Sequence, residues 1–266
     1  MIGTEDLEYL VKLALYSAYV KDEKPLSLLI TAKVESGKTT IASKFMHDKN
    51  KGIVYLTDVT AYGIIKAFLP QLELGKINHL IIGDLITPLS KQQSTVRSFI
   101  AFLNNLIEEG IVELQTYANS VKVKGIRCGI ITTIPENELF DKRHKWATMG
   151  FMSRVLPVSY SYSQQTAIEI LQSIARREYY EENKVKLDFP KKQKCIELPF
   201  EIAEKLIPHS RSFAIAEKIY GFRYQKQLQV LLEANALIRK DKKVTEEDFQ
   251  KILSLLKLIG LRYNQI

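Results

Sequence analysis

Cysteine is nearly absent from this sequence of 266 residues. The two present, Cys128 and Cys195, are too few for a disulfide framework, and neither sits in a metal-ligand spacing. Cys128 lies in an apolar run and reads as a small core residue. The four histidines, His47, His79, His144 and His209, are scattered singly, so a metal site built from protein ligands alone finds no support. No apolar run approaches the roughly 20 residues that cross a bilayer, and no membrane partner is expected. The start, Met1-Ile2-Gly3-Thr4-Glu5-Asp6, is acidic where a secretory signal is basic, which makes a cytoplasmic location the expectation. Internal repeats and blocks of like charge are also missing.

What is present has globular proportions. A hydrophobic content of 46% with 26% charged residues argues against extensive disorder. The length suffices for one large domain or two modest ones with a sizeable core. The net charge of +8 is spread along the chain: residues 1–158 carry 19 basic and 16 acidic side chains, the remainder 19 and 14. Such a surface permits contact with nucleic acid without requiring it.

The stretch that organises the chain is Leu28-Leu29-Ile30-Thr31-Ala32-Lys33-Val34-Glu35-Ser36-Gly37-Lys38-Thr39-Thr40. It reads as a buried strand, a tight turn and a helix opening at Lys38. That is the pattern of a phosphate-binding P-loop, with Ala32 where the first glycine usually stands. Residues 32–40 (Ala32, Lys33, Val34, Glu35, Ser36, Gly37, Lys38, Thr39, Thr40) form the expected nucleotide cradle. Amides of the turn, aided by the positive end of the following helix, would wrap the β-phosphate. Gly37 admits the phosphate to the main chain, Lys38 reaches the β- and γ-phosphates as a point charge, and the Thr39 hydroxyl holds Mg²⁺. The helix continues through Met46 with apolar residues at helical spacing.

Around this stretch, residues 5–20 form an amphipathic helix. A second strand is expected over residues 53–57, then a short helix from Ala61 to Leu69 that Pro70 interrupts. His79-Leu80-Ile81-Ile82-Gly83-Asp84 is an apolar strand ending in aspartate, which matches a Walker B strand whose carboxylate holds Mg²⁺; ligands of open parallel sheets sit at that carboxyl edge. Ser94 to Glu109 has helical periodicity. Residues 111–117 and 121–124 flank Ala118-Asn119-Ser120 as a β-hairpin. Another buried strand, Ile126 to Thr133, closes at Pro135, and a fifth, short strand precedes Val158. From there helical patterns dominate: 164–180, 199–206, 211–220, 224–239 and 245–258, the last opening on a capping-box-like Thr245-Glu246-Glu247-Asp248. The expected fold is α/β: a P-loop NTPase core (1–158) with a central, mainly parallel five-stranded sheet, then a smaller all-helical lid (159–266).

Taken together these features resemble an AAA+ ATPase. The resemblance implies ATP and Mg²⁺ bound at the subunit interfaces of a ring or spiral, six-membered in the family's usual form. It implies sensor 1 at Thr133 or Thr132, an arginine finger at Arg154 within Ser153-Arg154, and sensor 2 on the lid at Arg223, with Arg211 competing. Lys38, Asp84, Thr133, Arg154 and Arg223 are thus the implied catalytic set, with Thr39 and Asp84 at the metal. The hairpin at 109–125 and the run Gly125 to Thr133 are similar to the branch of minichromosome-maintenance helicases and MoxR-type chaperones. There such hairpins grip DNA, and Lys122 and Lys124 lie on one face here. The implied function is an ATPase acting on DNA as a motor, helicase-like protein or helicase loader, with a helicase as a protein partner. The alternatives are a protein-remodelling chaperone and an assembly scaffold with weak hydrolysis. One departure matters: Leu85 stands where the family has the water-orienting glutamate, and Asp58, past the second strand, is the nearest substitute.

Overall fold

The computed structural model describes residues 2–115, 120–178 and 184–261, and gives the backbone alone over 112–115 and 120–124. Among the described residues seven strands occur in chain order: β1 (Leu28–Ala32), β2 (Ile53–Leu56), β3 (His79–Ile82), β4 (Ile111–Gln115), β5 (Ser120–Ile126), β6 (Gly129–Pro135) and β7 (Leu156–Ser159). Five of them make one sheet in the order β2-β3-β6-β1-β7, and every pair is parallel. All carboxyl ends therefore lie along one edge. β1 and β3 are buried throughout, as their apolar composition demands of strands covered on both faces. Side chains alternate across β1: Leu28 and Ile30 join one core with Leu10, Val11 and Leu231, whereas Leu29 joins another with Leu80, Phe99 and Phe151.

The helices are α1 (Glu5–Ser17), α2 (Lys38–Ser43), α3 (Ala61–Glu73), α4 (Ile86–Leu89), α5 (Gln93–Asn104), α6 (Glu136–Thr148), α7 (Gln164–Ala175), α8 (Phe200–Lys205), α9 (Ile207–Glu217), α10 (Phe222–Ile238) and α11 (Glu246–Leu255). α5 runs on into a π turn, Asn105–Glu109. α1 packs against α10 and α11, and all three share the first core with β1 and β7. Among the described residues no helix is long and apolar enough to cross a membrane.

Several elements differ from the sequence expectation, each for a local reason. α2 has six residues and stops before Phe45-Met46, where the chain turns to bury Phe45. α3 passes through Pro70, and its last turn is kept by the burial of Leu72. α6 went unexpected because its stretch is polar and only Leu139 and Trp146 are buried, too thin a stripe to show a period. α9 opens four residues before Arg211, with Pro208 in its first turn, where a missing N–H costs nothing. The capping box is present: Thr245 and Asp248 exchange bonds across the first turn of α11. β4 and β5 pair antiparallel as the hairpin reading requires. Its turn at Ala118-Asn119, and the end of the helix expected through Tyr180, lie outside the described residues.

His79 opens β3 fully buried and donates from Nε2 to the Leu26 carbonyl at 3.1 Å. Burial pushes its pKa down to about 4 from the usual 6.5, against the pull of backbone acceptors. Below pH 6.5 the unfolded chain takes up a proton at this ring that the folded chain refuses until about pH 4. Acid therefore favours unfolding across that window, by as much as about 3 kcal/mol at its lower end. Urea midpoints measured at pH 7 and pH 4.5 should fall further for the parent than for His79→Gln, and equal falls would remove this assignment.

Candidate nucleotide site at the carboxyl edge of the sheet

The turn after β1 spans residues 33–37 and hands the chain to α2. Gly37 adopts φ +79°, a left-handed conformation open to glycine, and Glu35 is also left-handed at φ +63°. Lys33, Val34 and Glu35 are exposed at the tip, whereas Ser36 and Lys38 are buried. Lys38 folds back over the turn it follows. Its ammonium donates to the Ala32 carbonyl (3.0 Å), the Lys33 carbonyl (2.6 Å) and Ser36 Oγ (3.3 Å). Burial lowers its pKa, and the negative charges of Asp84 and Glu136 pull against that fall. With only six residues, α2 contributes little macrodipole, so any phosphate binding rests on the loop amides and on Lys38.

The turn after β3 meets this loop. Thr39 Oγ1 donates to the Gly83 carbonyl at 3.4 Å, and Thr133 Oγ1 donates to the same oxygen at 2.6 Å. Gly83 lets the Tyr55 ring lie close against the turn: a Cβ there would lie 2.2 Å from the Tyr55 hydroxyl. The Leu85 amide donates to the Thr133 carbonyl at 2.9 Å, closing the link between β6 and the turn. Asp84 accepts from the Ile86 amide through Oδ1 at 2.9 Å, which fixes its carboxylate at the edge and leaves Oδ2 for a cation. Lys38, Thr39, Asp84 and Thr133 are thus gathered in one place. Their donor set suits a magnesium nucleotide: an ammonium and loop amides for phosphate oxygens, a hydroxyl and a carboxylate for a hard cation. Of the two threonines, Thr133 reaches the turn, whereas Thr132 is fully buried with its hydroxyl unpartnered among the described residues.

Other expected residues go elsewhere. Asp58 follows β2, which does neighbour β3, but its carboxylate is taken by Lys91 at 2.7 Å and is half exposed. Leu85 is buried in the core. Arg154 precedes β7, at the opposite edge: the Leu156 amide bonds the Ser27 carbonyl just before β1. The five residues of β1 span roughly 16 Å between the edges. There Arg154 donates to Glu109 at 2.5 Å and to the Gly150 carbonyl at 2.8 Å, while its buried Nε is unpartnered among the described residues. Burial would raise the Glu109 carboxyl, but the bond and charge of Arg154 outweigh it and hold it low.

Arg223 does not stand over the loop of its own chain, as the lid reading required. It opens α10 beside Arg154, donating to Ser153 Oγ at 3.1 Å and lying 3.8 Å from Glu108, because α10 docks on α1 rather than over the carboxyl edge. Arg211 is exposed on α9. Lys24, Arg154, Arg223 and Lys226 line a cleft of about 300 Å³ together with the acidic Asp22, Glu23 and Glu108. The side chains of Lys122 and Lys124 lie outside the described residues, and the hairpin register sets Lys122 opposite Glu113.

Sequence reasoning missed Glu136. It is the first residue of α6, directly after Pro135, which pairs with Ala32 at the mouth of the loop. The signal was available: a strand ending at the nucleotide edge in Pro135 leaves the next acidic residue there. No family model matches the chain and no curated protein matches it.

Proposed function

We propose that this protein is a magnesium-dependent ATPase of the P-loop type whose site is completed by a second copy of itself. The observation that carries the proposal is the meeting of Lys38, Thr39, Thr133 and the Asp84 turn around the Gly83 carbonyl. Lys38 would exchange its loop carbonyls for phosphate oxygens, and Thr39 with Asp84 would hold Mg²⁺. When bound, the metal neutralises charge on the β- and γ-phosphates. Thr133 holds the Asp84 turn in register. Water attacks the γ-phosphorus as the bond to the β–γ bridging oxygen breaks, and Glu136, rather than Asp58, orients that water and takes its proton.

Arg154 and Arg223 face the other way. The cleft they line sets Lys24, Arg154, Arg223 and Lys226 against Asp22, Glu23 and Glu108, an excess of one positive charge facing an anion that arrives from outside the chain. A neighbour's γ-phosphate fits that chemistry, since charge on the transferring oxygens needs a fixed cation. Nucleotide binding would then draw copies together in a ring or spiral, and hydrolysis would release them. Mixing inactive Lys38→Ala subunits with inactive Arg154→Ala subunits tests the shared site. Activity regained in the mixture is expected; inert mixtures of assembled chains would rule it out.

The work assigned to turnover is on DNA, supported by the +8 charge and by a hairpin standing outside the main sheet. DNA should stimulate turnover, and that stimulation should fall steeply with salt. Remodelling of polypeptides is the second reading, favoured by the exposed apolar side chains Ile168, Leu171 and Ile174 along α7. Turnover indifferent to DNA but raised by unfolded protein would select it.

A further inference from the structure

We propose that Tyr160 and Tyr162 are positioning residues that hold the Ser36–Gly37 peptide in the orientation a bound phosphate needs, an inference that rests on the nucleotide reading above. Both hydroxyls donate to one acceptor, the Ser36 carbonyl, at 2.8 Å from Tyr160 and 2.7 Å from Tyr162. Two donors fill both lone pairs of that oxygen. The rings pack edge to face at 5.7 Å, which fixes the hydroxyls relative to each other. Burial pushes both phenols above their usual value, so each keeps its proton and stays a donor through the neutral range.

The consequence follows from peptide geometry. In a trans peptide the carbonyl and the next N–H point in opposite directions. Tyr160 and Tyr162 directly follow β7, and β1 lies between β7 and β6. With the Ser36 carbonyl drawn toward β7, the Gly37 amide is turned to the β6 side, where Thr133 and the Asp84 turn stand. Without the tyrosines this plane is easily inverted, because glycine at position 37 accepts either sign of φ. An inverted plane would present a carbonyl oxygen to the phosphate in place of an N–H. The same bonds tie the loop to the helical half, since Ser163, the next residue, caps α7 through Thr166.

The test uses full-length parent, Tyr160→Phe, Tyr162→Phe and the double variant, which keep the rings and lose the hydroxyls. Calorimetry with Mg·ADP should show affinity reduced several-fold in each single variant and roughly tenfold or more in the double. Ser36-Gly37 is the only Ser-Gly step in the sequence, so ¹³C-carbonyl serine with ¹⁵N-glycine isolates the Gly37 amide in one spectrum. Its resonance should be displaced or broadened in the double variant before nucleotide is added, with unchanged melting temperature. A parent that binds and a double variant that binds within twofold, with the Gly37 resonance unmoved, would overturn the proposal. A parent that takes up no Mg·ADP would instead overturn the nucleotide reading. If the double variant does not fold, two single variants indistinguishable from the parent overturn the proposal.

Discussion

Replacing Lys38 with alanine is expected to lower magnesium-dependent ATP turnover by about 10³-fold or more. A preorganised cation beside the transferring oxygens is worth about 10²–10³ in rate by itself in comparable sites. Lys38 also supplies ground-state attraction to the β-phosphate, so binding should weaken with it. The fold should survive. The ammonium bonds only oxygens of Ala32, Lys33 and Ser36, and their loss costs on the order of 1 kcal/mol each where water cannot replace them. Lys33 is the internal control, because its side chain is exposed at the tip of the same loop. Phosphate release by Lys38→Ala, Lys38→Met and Lys33→Ala, with melting curves for each, is the measurement. Substantial turnover by Lys38→Met would remove the loop from the chemistry.

Glu136→Gln is expected to reduce kcat by about 10²–10⁴-fold while leaving KM close to the parent value, as loss of a general base does. The change keeps size and first-turn position in α6 but removes the charge felt by Lys38. Asp58→Asn should match the parent, because that carboxylate already answers Lys91. Single-turnover hydrolysis separates the two without interference from product release. Should Asp58→Asn be the slow variant and Glu136→Gln the normal one, the assignment of the two carboxylates is reversed.

The elements that frame the candidate site are legible in the sequence. An apolar strand, a short turn with Gly37-Lys38-Thr39 and a second strand ending at Asp84 each carry a local signature, and parallel pairing puts their ends together by construction. What escaped was whatever lacked a period or depended on distant packing. α6 hid because a mostly solvated helix has no apolar stripe, and Glu136 went with it. The shortness of α2 followed from the burial of Phe45, and neighbouring residues say nothing of that.

The sequence by itself therefore determined the strands, the turn between β1 and α2 and the edge at which the strands end, because these follow from alternation, turn residues and the rule of parallel sheets. Only the tertiary structure decided where α10 docks. It lies on α1, sharing its core, and so Arg223 stands with Arg154 at the amino edge while Asp58 is spent on Lys91 and Ser36 is held by Tyr160 and Tyr162. Each of those pairings joins residues far apart in the chain, and contacts of that kind are set by how faces pack rather than by the residues beside them.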